Sequence, residues 1–246
     1  MMHYHGTPIT PKSALQQLAG RNFCVSFAHP QDVKTVHEIG QSVMLDNGAF
    51  SAWRLGIEIN WWDYYKWCEE WLCYPTTWAV IPDVIDGTEE DNDKLIKRWP
   101  FGRRGAPVWH LNESLDRLRH MICYWQRVCF GSSGDYAKVG SDRWHLRVSE
   151  AFDVVAPEGV GRPTVWVHMM RGMALAGSHY PFASVDSTNV AQNHKRDGGP
   201  VAIAGYWDAK QCPGRWNPSP KQLNLDARAP DPRRFLRDQE ASIRVA

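Results

Sequence analysis

The feature that most constrains the fold is a series of eight short apolar runs, each bounded by turn-forming residues. Few polar residues interrupt these runs, which is typical of strands that are buried on both faces of a parallel sheet. We therefore predict β-strands at residues 23–28, 42–46, 77–83, 107–111, 127–131, 164–170, 182–186 and 201–205.

Helical patterns fill most of the gaps between the runs. The segment 60–74 begins at Asn60, a favoured N-cap residue, and its aromatic residues fall at helical spacing. The segment 88–99 begins at Thr88 and carries acidic residues in its first turn, which favours a helix N-terminus. We predict helices at residues 32–40, 60–74, 88–99, 112–126, 144–156 and 171–179.

Strand and helix thus alternate about eight times, which predicts an α/β fold with a parallel sheet. Eight units in a chain of 246 residues fit a compact (β/α)8 TIM-type barrel, and a doubly wound open sheet is the alternative. We divide the chain into an N-terminal segment (1–22), a single barrel domain (23–210) and a Pro-rich, basic C-terminal extension (211–246). The His-rich residues 3–5 are expected in a disordered terminus and are assigned no role.

Charge is balanced overall, with a net charge of +1, so the composition carries no general signature of nucleic-acid binding. The last part of the chain differs, because residues 195–246 hold 10 Lys and Arg against 6 Asp and Glu. This stretch either contacts phosphates or is a solvated tail. The candidate nucleic-acid contacts are Arg171, Lys195, Arg196, Arg228, Arg233 and Arg234.

Cysteine spacing and hydropathy bear on metals and membranes. The six cysteines form no paired motif of the kind that builds a zinc site, and we predict neither a metal nor a cofactor. No stretch approaches the roughly 20 apolar residues of a membrane span, and the opening residues lack the apolar region of a signal peptide. We expect a cytoplasmic protein that has no membrane partner.

Ionisable residues repeatedly follow the apolar runs. Asp46, Asp83 and Asp186 each stand at or next to the end of a predicted strand, as do three histidines. In a barrel the C-terminal strand ends line the active site, so these side chains are expected to converge on one pocket. The glycine at position 48 would allow a sharp turn after Asp46, and the alternative is that Asp46 only caps the amides that follow it.

Two carboxylates that face one site are the usual equipment for cleaving a glycosidic bond, because one attacks or stabilises the anomeric carbon and the other moves a proton. The sequence FGSSG at 130–134 offers hydroxyls and a close backbone approach to a planar heterocycle, and it lacks the lysine of a phosphate-binding P-loop. A metal-dependent hydrolase is a further alternative, and it requires His29, His110 or His168 to meet an aspartate.

Five short motifs, in this order, resemble those of the tRNA-guanine transglycosylase superfamily, whose members are (β/α)8 barrels. They extend over about residues 23–205, and no single one is strongly specific. The motifs are LDNGAFS (45–51), IPDVID (81–86), CFGSSG (129–134), VHMMRG (167–172) and SVDSTN (184–189).

The resemblance implies roles for individual residues. Asp186 would be the nucleophile that attacks C1′ of a nucleotide, and Asp46 would be the general acid and base. Asp83 would recognise the edge of the base together with Ser132 and Ser133, and Met170 would pack on its face. The full set of implied substrate-binding residues is Phe50, Asp83, Gly131, Ser132, Ser133, His168 and Met170.

The chain lacks the Cys-rich zinc subdomain of the tRNA enzymes, and Gly131-Ser132 stands in place of their Gly-Gly pair. It looks more like compact relatives that act on DNA, so tRNA is the less expected partner. We predict an enzyme that replaces guanine in DNA by a 7-deazaguanine such as preQ0, after the target nucleotide is flipped out of the duplex. The alternatives are a DNA glycosylase that leaves an abasic site, with a phage-modified base as its target, and a non-catalytic barrel that binds nucleic acid or a protein. The sequence leaves the oligomeric state open.

Overall fold

The computed structural model describes residues 1–157, 161–196 and 198–218. Residues Met1–Trp216 form one compact unit. Its strands pair in parallel throughout. The strands are β1 (Met2–Gly6), β2 (Asn22–Ser26), β3 (Ser42–Asp46), β4 (Thr77–Val80), β5 (Gly105–Ala106), β6 (Val108–His110), β7 (Arg127–Gly131), β8 (Trp166–Met169) and β9 (Ser184–Ser187).

The strands form a nearly closed barrel in the order β5-β4-β3-β2-β1-β9-β8-β7-β6. The two strands at the ends of this order are neighbours in the chain, because only Pro107 separates β5 from β6. β5 pairs with β4, and β6 pairs with β7. The Pro107 carbonyl also accepts from the Cys129 amide, at 2.9 Å. The segment 105–110 therefore acts as one strand that joins the two edges, and the predicted TIM-type α/β barrel is confirmed.

The strand predictions need two corrections. The run 201–205 is part of a helix, because Pro200 fits the first turn of a helix and the run consists mainly of small residues. The strand missing from the predictions is β1, which pairs with β2 and β9, so the barrel begins within residues 1–22 and residues 3–5 are ordered. Because β1 contains two histidines, it does not form an apolar run. His5 is nevertheless buried, and its Nε2 lies 3.1 Å from the Asp208 carboxylate.

Helices surround the barrel. Side-chain caps at Asn60, Thr88, Ser114 and Ser141 accept backbone N–H groups and fix where four of the helices begin. The predicted helix 171–179 is reduced to a short 3-10 helix at Met173–Leu175. The α-helices are α1 (Lys12–Gln16), α2 (Val33–Ile39), α3 (Ala49–Leu55), α4 (Trp61–Trp71), α5 (Glu89–Arg98), α6 (Leu115–Tyr124), α7 (Asp142–Val155), α8 (Asn189–Asn193) and α9 (Gly199–Asp208). Among the described residues, no helix is long and apolar enough to cross a membrane.

Alternation along the strands sends successive side chains to opposite faces of the barrel wall. On β3, Val43 and Leu45 pack in an apolar cluster with residues of the helices, whereas Met44 packs in a separate cluster with Tyr4 and Trp78 of neighbouring strands. Asp46 is two residues beyond Met44 and therefore shares its inward face. The same period places Asp186 on the inward face of β9, because Val185 packs outward.

Candidate active site

The C-terminal ends of the strands surround a narrow cavity, which we call the mouth pocket. Its free volume is about 30 Å³, room for about one water molecule. It brings together nine of the residues that the sequence singled out. These are Asp46, Phe50, Asp83, His110, Gly131, Ser132, Ser133, Met170 and Arg171, and the remaining wall consists of Asn47, Ala49 and Ile85.

Asp46 ends β3 and is held by the turn that follows it. The Gly48 backbone N–H donates to Asp46 Oδ2 at 3.2 Å, so the predicted turn-capping contact is present. Gly48 has a φ of +77°, a conformation that glycine adopts without steric cost, and α3 begins at the next residue. Asp46 therefore both caps the turn and lines the mouth pocket.

The environment of Asp46 favours its neutral form. Burial is the main cause, and the charges of Asp186 and Asp83 act in the same direction. The Ser26 hydroxyl and the Gly48 N–H oppose the shift, and the net effect raises the pKa of Asp46 to about 6. This carboxyl group therefore gains and loses a proton close to neutral pH.

Asp186 on β9 is held by two donors on one oxygen. Its Oδ1 lies 3.2 Å from His168 Nε2 and accepts the Arg171 backbone N–H at 2.6 Å. His168 is buried, and its Nδ1 lies 2.8 Å from Ser184 Oγ, which also accepts from Trp166 Nε1. Because a carboxylate only accepts, the hydrogen of this contact is on His168 Nε2. Asp186 does not line the mouth pocket, but it contacts the backbone of Arg171, which does.

Arg171 closes the mouth pocket. Its guanidinium lies 3.8 Å from the centre of the Phe50 ring and also donates to the Ser132 carbonyl at 3.3 Å. Its φ of +54° is the only left-handed value of a non-glycine residue within the described ranges. Such a conformation costs of order 1 kcal/mol and is typical of functional sites. Here it aims the backbone N–H at Asp186 while the side chain spans the pocket.

Asp83 also lines the mouth pocket, and both of its carboxylate oxygens have partners. Its Oδ1 accepts from Asn47 Nδ2 at 2.7 Å, and its Oδ2 lies 2.9 Å from His110 Nε2. Burial acts to lower the pKa of His110, but the hydrogen bond and charge of Asp83, with a contribution from Glu113, outweigh it and raise that pKa. Gly131 makes room for this pair, because a Cβ there would lie 3.0 Å from His110 Nδ1.

The two serines after β7 are held by side chains of the protein. Ser132 Oγ accepts from Trp144 Nε1 at 2.9 Å, and Ser133 Oγ donates to Asn112 Oδ1 at 2.6 Å. Ser132 keeps its own hydroxyl hydrogen for a ligand, whereas the hydrogen of Ser133 is already used. Of this pair, Ser132 is therefore the one with a free hydroxyl donor.

The sequence gives no signal for the structural role of Asn47, because nothing in its context indicates that its amide reaches Asp83. For His110 the sequence allows a metal ligand and favours a hydrogen-bonded residue of the pocket wall. The structure shows His110 on the wall of the mouth pocket, paired with Asp83. Within the described part of the chain, no three His, Cys, Asp or Glu side chains are placed to hold a metal ion, and His29 is exposed.

The predicted nucleic-acid contacts are less well placed than the pocket residues. Lys195 and Arg196 are exposed and follow α8, and no hydrogen bond of their side chains to a residue of the mouth pocket is found among the described residues. Arg228, Arg233 and Arg234 lie outside the described residues. Arg171 is therefore the only one of the six that is shown to reach the pocket.

Comparison of the chain with protein-family models, curated proteins and solved structures finds no match. The resemblance to the transglycosylase superfamily thus depends on the order of the five short motifs alone.

Proposed function

We propose that this protein is a glycosyltransferase that breaks the N-glycosidic bond of a guanine nucleotide in DNA and installs a 7-deazaguanine base such as preQ0. The observation that carries the proposal is the pair Asp46 and Asp186, which lie at the same end of the barrel in different surroundings. Pairs of carboxyl groups whose environments differ are typical of acid and nucleophile roles.

Asp186 is the proposed nucleophile. Two donors orient its Oδ1, while its Oδ2 accepts no hydrogen bond from the described residues. In the first step a bond forms between Oδ2 and C1′ of the sugar, and the bond between C1′ and the base nitrogen breaks. The electron pair of that bond leaves with guanine, which takes a proton from Asp46.

Asp46 is the proposed general acid and base, because a pKa of about 6 allows proton transfer in both directions near neutral pH. In the second step Asp46 removes the proton from the ring nitrogen of the incoming base. That nitrogen attacks C1′ and releases the Asp186 carboxylate, so Asp46 ends the cycle protonated, as it began. The incoming base supplies the proton that the leaving guanine took.

Entry of a base requires Arg171 to move, because the mouth pocket is nearly filled in this structure. The Phe50 ring that Arg171 covers is a flat surface on which a flipped base can stack. The displaced guanidinium is then free to bind a phosphate of the DNA backbone. The left-handed conformation of Arg171 thus stores strain at the point where substrate binding rearranges the site.

The test is one assay with two arms. Duplex DNA, unmodified or phage-modified, is incubated with the protein with and without preQ0 and is then digested to nucleosides for mass spectrometry. A 7-deazaguanine nucleoside that requires both preQ0 and Asp186 supports base exchange. Free base with abasic DNA, independent of preQ0, makes the protein a glycosylase.

The matched control is Asp135→Asn, which removes an exposed carboxylate outside the mouth pocket. It is expected to keep full activity, whereas Asp186→Asn is expected to lose it. Absence of product from DNA in both arms, followed by the same result with tRNA, would favour the non-catalytic barrel.

A further inference from the structure

A second cavity lies at the other end of the barrel, where the strands begin. We call it the lower pocket. Its free volume is about 350 Å³, within the range of small-molecule sites. Ser42, Thr77 and Arg127, the first residues of β3, β4 and β7, are in its wall, and Arg103 and Arg104 complete a set of three arginines. No Asp or Glu lines it among the described residues.

Arg127 differs from other partly buried arginines of this chain in its hydrogen bonding. Arg21 donates to Asp208, Arg117 to Glu113, and Arg147 to the Leu111 carbonyl. No described residue accepts a hydrogen bond from the Arg127 guanidinium, and none of their carboxylates lies within 4.0 Å of it. Arg127 is partly buried, and its enclosed Nε has no acceptor among the described residues, so at least one of its donors is unused.

The Arg127 guanidinium is nevertheless held in one place. It lies 4.3 Å from the Trp78 ring centre and 5.2 Å from that of Trp166. Contacts with aromatic faces stabilise the cation. Its N–H groups lie in the plane of the guanidinium, so they stay free to donate to an acceptor. The geometry therefore presents a preorganised donor set that the described residues do not use.

The other two arginines have different roles. Arg104 donates to the backbone carbonyls of Leu72, Tyr74, Pro75 and Thr77. Its hydrogen bonds therefore connect the end of α4 to the start of β4. Its positive charge still acts on the cavity. Arg103 is exposed and has no acceptor among the described residues, so it can turn toward a bound anion.

We propose that the lower pocket binds a small molecule that carries a phosphate group. Guanidinium groups match phosphate oxygens in geometry and charge, and two of the three have donors to spare. The cavity is larger than an inorganic phosphate ion, so the ligand also carries an organic part. This site is separate from the mouth pocket and does not depend on the function proposed for it.

The test is calorimetric titration of the full chain with inorganic phosphate, at an ionic strength held constant with chloride. We expect saturable binding of one phosphate per chain. Arg103→Gln, an exposed change that the fold tolerates, is expected to weaken binding by about tenfold, as is Arg127→Gln. Arg119→Gln on the surface of α6 and Arg171→Gln at the mouth pocket are expected to leave the affinity unchanged.

The control variants decide where phosphate binds. Loss of binding in Arg171→Gln, with normal affinity in Arg103→Gln, would place the anion at the mouth pocket and overturn the proposal. Absence of saturable binding would also overturn it, as would equal affinity in the wild type, Arg103→Gln and a folded Arg127→Gln. If Arg127→Gln does not fold, Arg103→Gln alone carries the test.

Discussion

Two groups of residues at the C-terminal ends of the strands, which we call the paired side and the open side, hold their carboxylates in different ways. On the paired side (Asn47, Asp83 and His110), both oxygens of Asp83 have partners within 2.9 Å. On the open side (Asp46 and Asp186), Asp46 accepts one backbone N–H and Asp186 receives both of its donors on a single oxygen. Asp83 is buried, whereas Asp46 and Asp186 are partly buried, so the two sides differ both in the degree of pairing and in exposure.

This difference in pairing distinguishes carboxylates that stabilise the fold from carboxylates that can take part in a reaction. A buried carboxylate that is fully paired holds neighbouring strands together and has little capacity left to react. A buried carboxylate with a free oxygen destabilises the fold slightly, and it can attack a carbon or exchange a proton. We therefore expect changes on the paired side to affect folding and changes on the open side to affect catalysis.

The largest expected effect on stability is on the paired side. Asp83→Asn removes the charge that supports protonated His110 and places an amide against the Asn47 amide, so we expect the free energy of unfolding to fall by about 3–5 kcal/mol. His110 has a raised pKa in the folded protein, so its stabilising contribution is complete below the unfolded pKa and is lost as pH rises through the folded pKa. The penalty measured by urea denaturation is therefore expected to be larger at acidic than at alkaline pH.

A double variant checks the cause of that effect. Asp83→Asn combined with His110→Gln removes both partners, so it is expected to lose less than the sum of the two single changes. Additive losses would show that the pair is not coupled, and the contrast between the two sides would then fail.

The next effect has the opposite sign. Asp46→Asn replaces a carboxylate whose pKa is raised to about 6 by an amide of the same shape, so we expect the free energy of unfolding at pH 8 to rise by about 1–3 kcal/mol. The folded wild type binds the Asp46 proton more tightly than the unfolded chain. Its stability is therefore expected to fall as pH rises from about 4 to about 6, a slope that Asp46→Asn lacks.

Activity of Asp46→Asn completes this prediction. Because the amide transfers no proton, base exchange is expected to drop by about 10²–10⁴-fold while stability rises. A variant that is more stable and fully active would remove Asp46 from the proposed chemistry.

The smallest effect concerns Arg171, which contacts the open side through its backbone. Arg171→Gly is expected to be more stable than Arg171→Ala by about 1 kcal/mol, because only glycine adopts the φ of +54° without strain. Both variants lose the contact with Phe50, so the difference between their free energies of unfolding reports the backbone strain at position 171. Equal denaturation midpoints for the two variants would show that the left-handed conformation stores no strain.

The sequence predicted the barrel and the open side for one physical reason. In a parallel sheet, apolar runs mark the strands and all C-terminal ends meet, so Asp46 and Asp186 could be placed together without knowledge of any contact. β1 escaped because both side chains of its outward face, His3 and His5, are histidines, so the strand does not form an apolar run. A strand with buried polar side chains can be recognised only when the residues that pair with those side chains are known, and for His5 that residue is Asp208.

The paired side could not be predicted in the same way. The contact of Asn47 with Asp83 joins residues 36 positions apart, and that of Asp83 with His110 joins residues 27 apart. Such pairs depend on side-chain directions that a single sequence does not reveal. The predicted role of Asp83 in binding the base edge remains a prediction, and its existing partners leave little hydrogen-bonding capacity for it.

The central claim is that Asp186 forms a bond to the sugar while Asp46 moves the proton. The most direct measurement is intact-protein mass spectrometry, with peptide mapping, after incubation with duplex DNA without preQ0 and rapid denaturation. We predict a covalent DNA adduct on Asp186 that is absent from Asp186→Asn and that disappears from the wild type when preQ0 is added. Product formation by Asp186→Asn at the wild-type rate, with no adduct on either protein, would contradict the account.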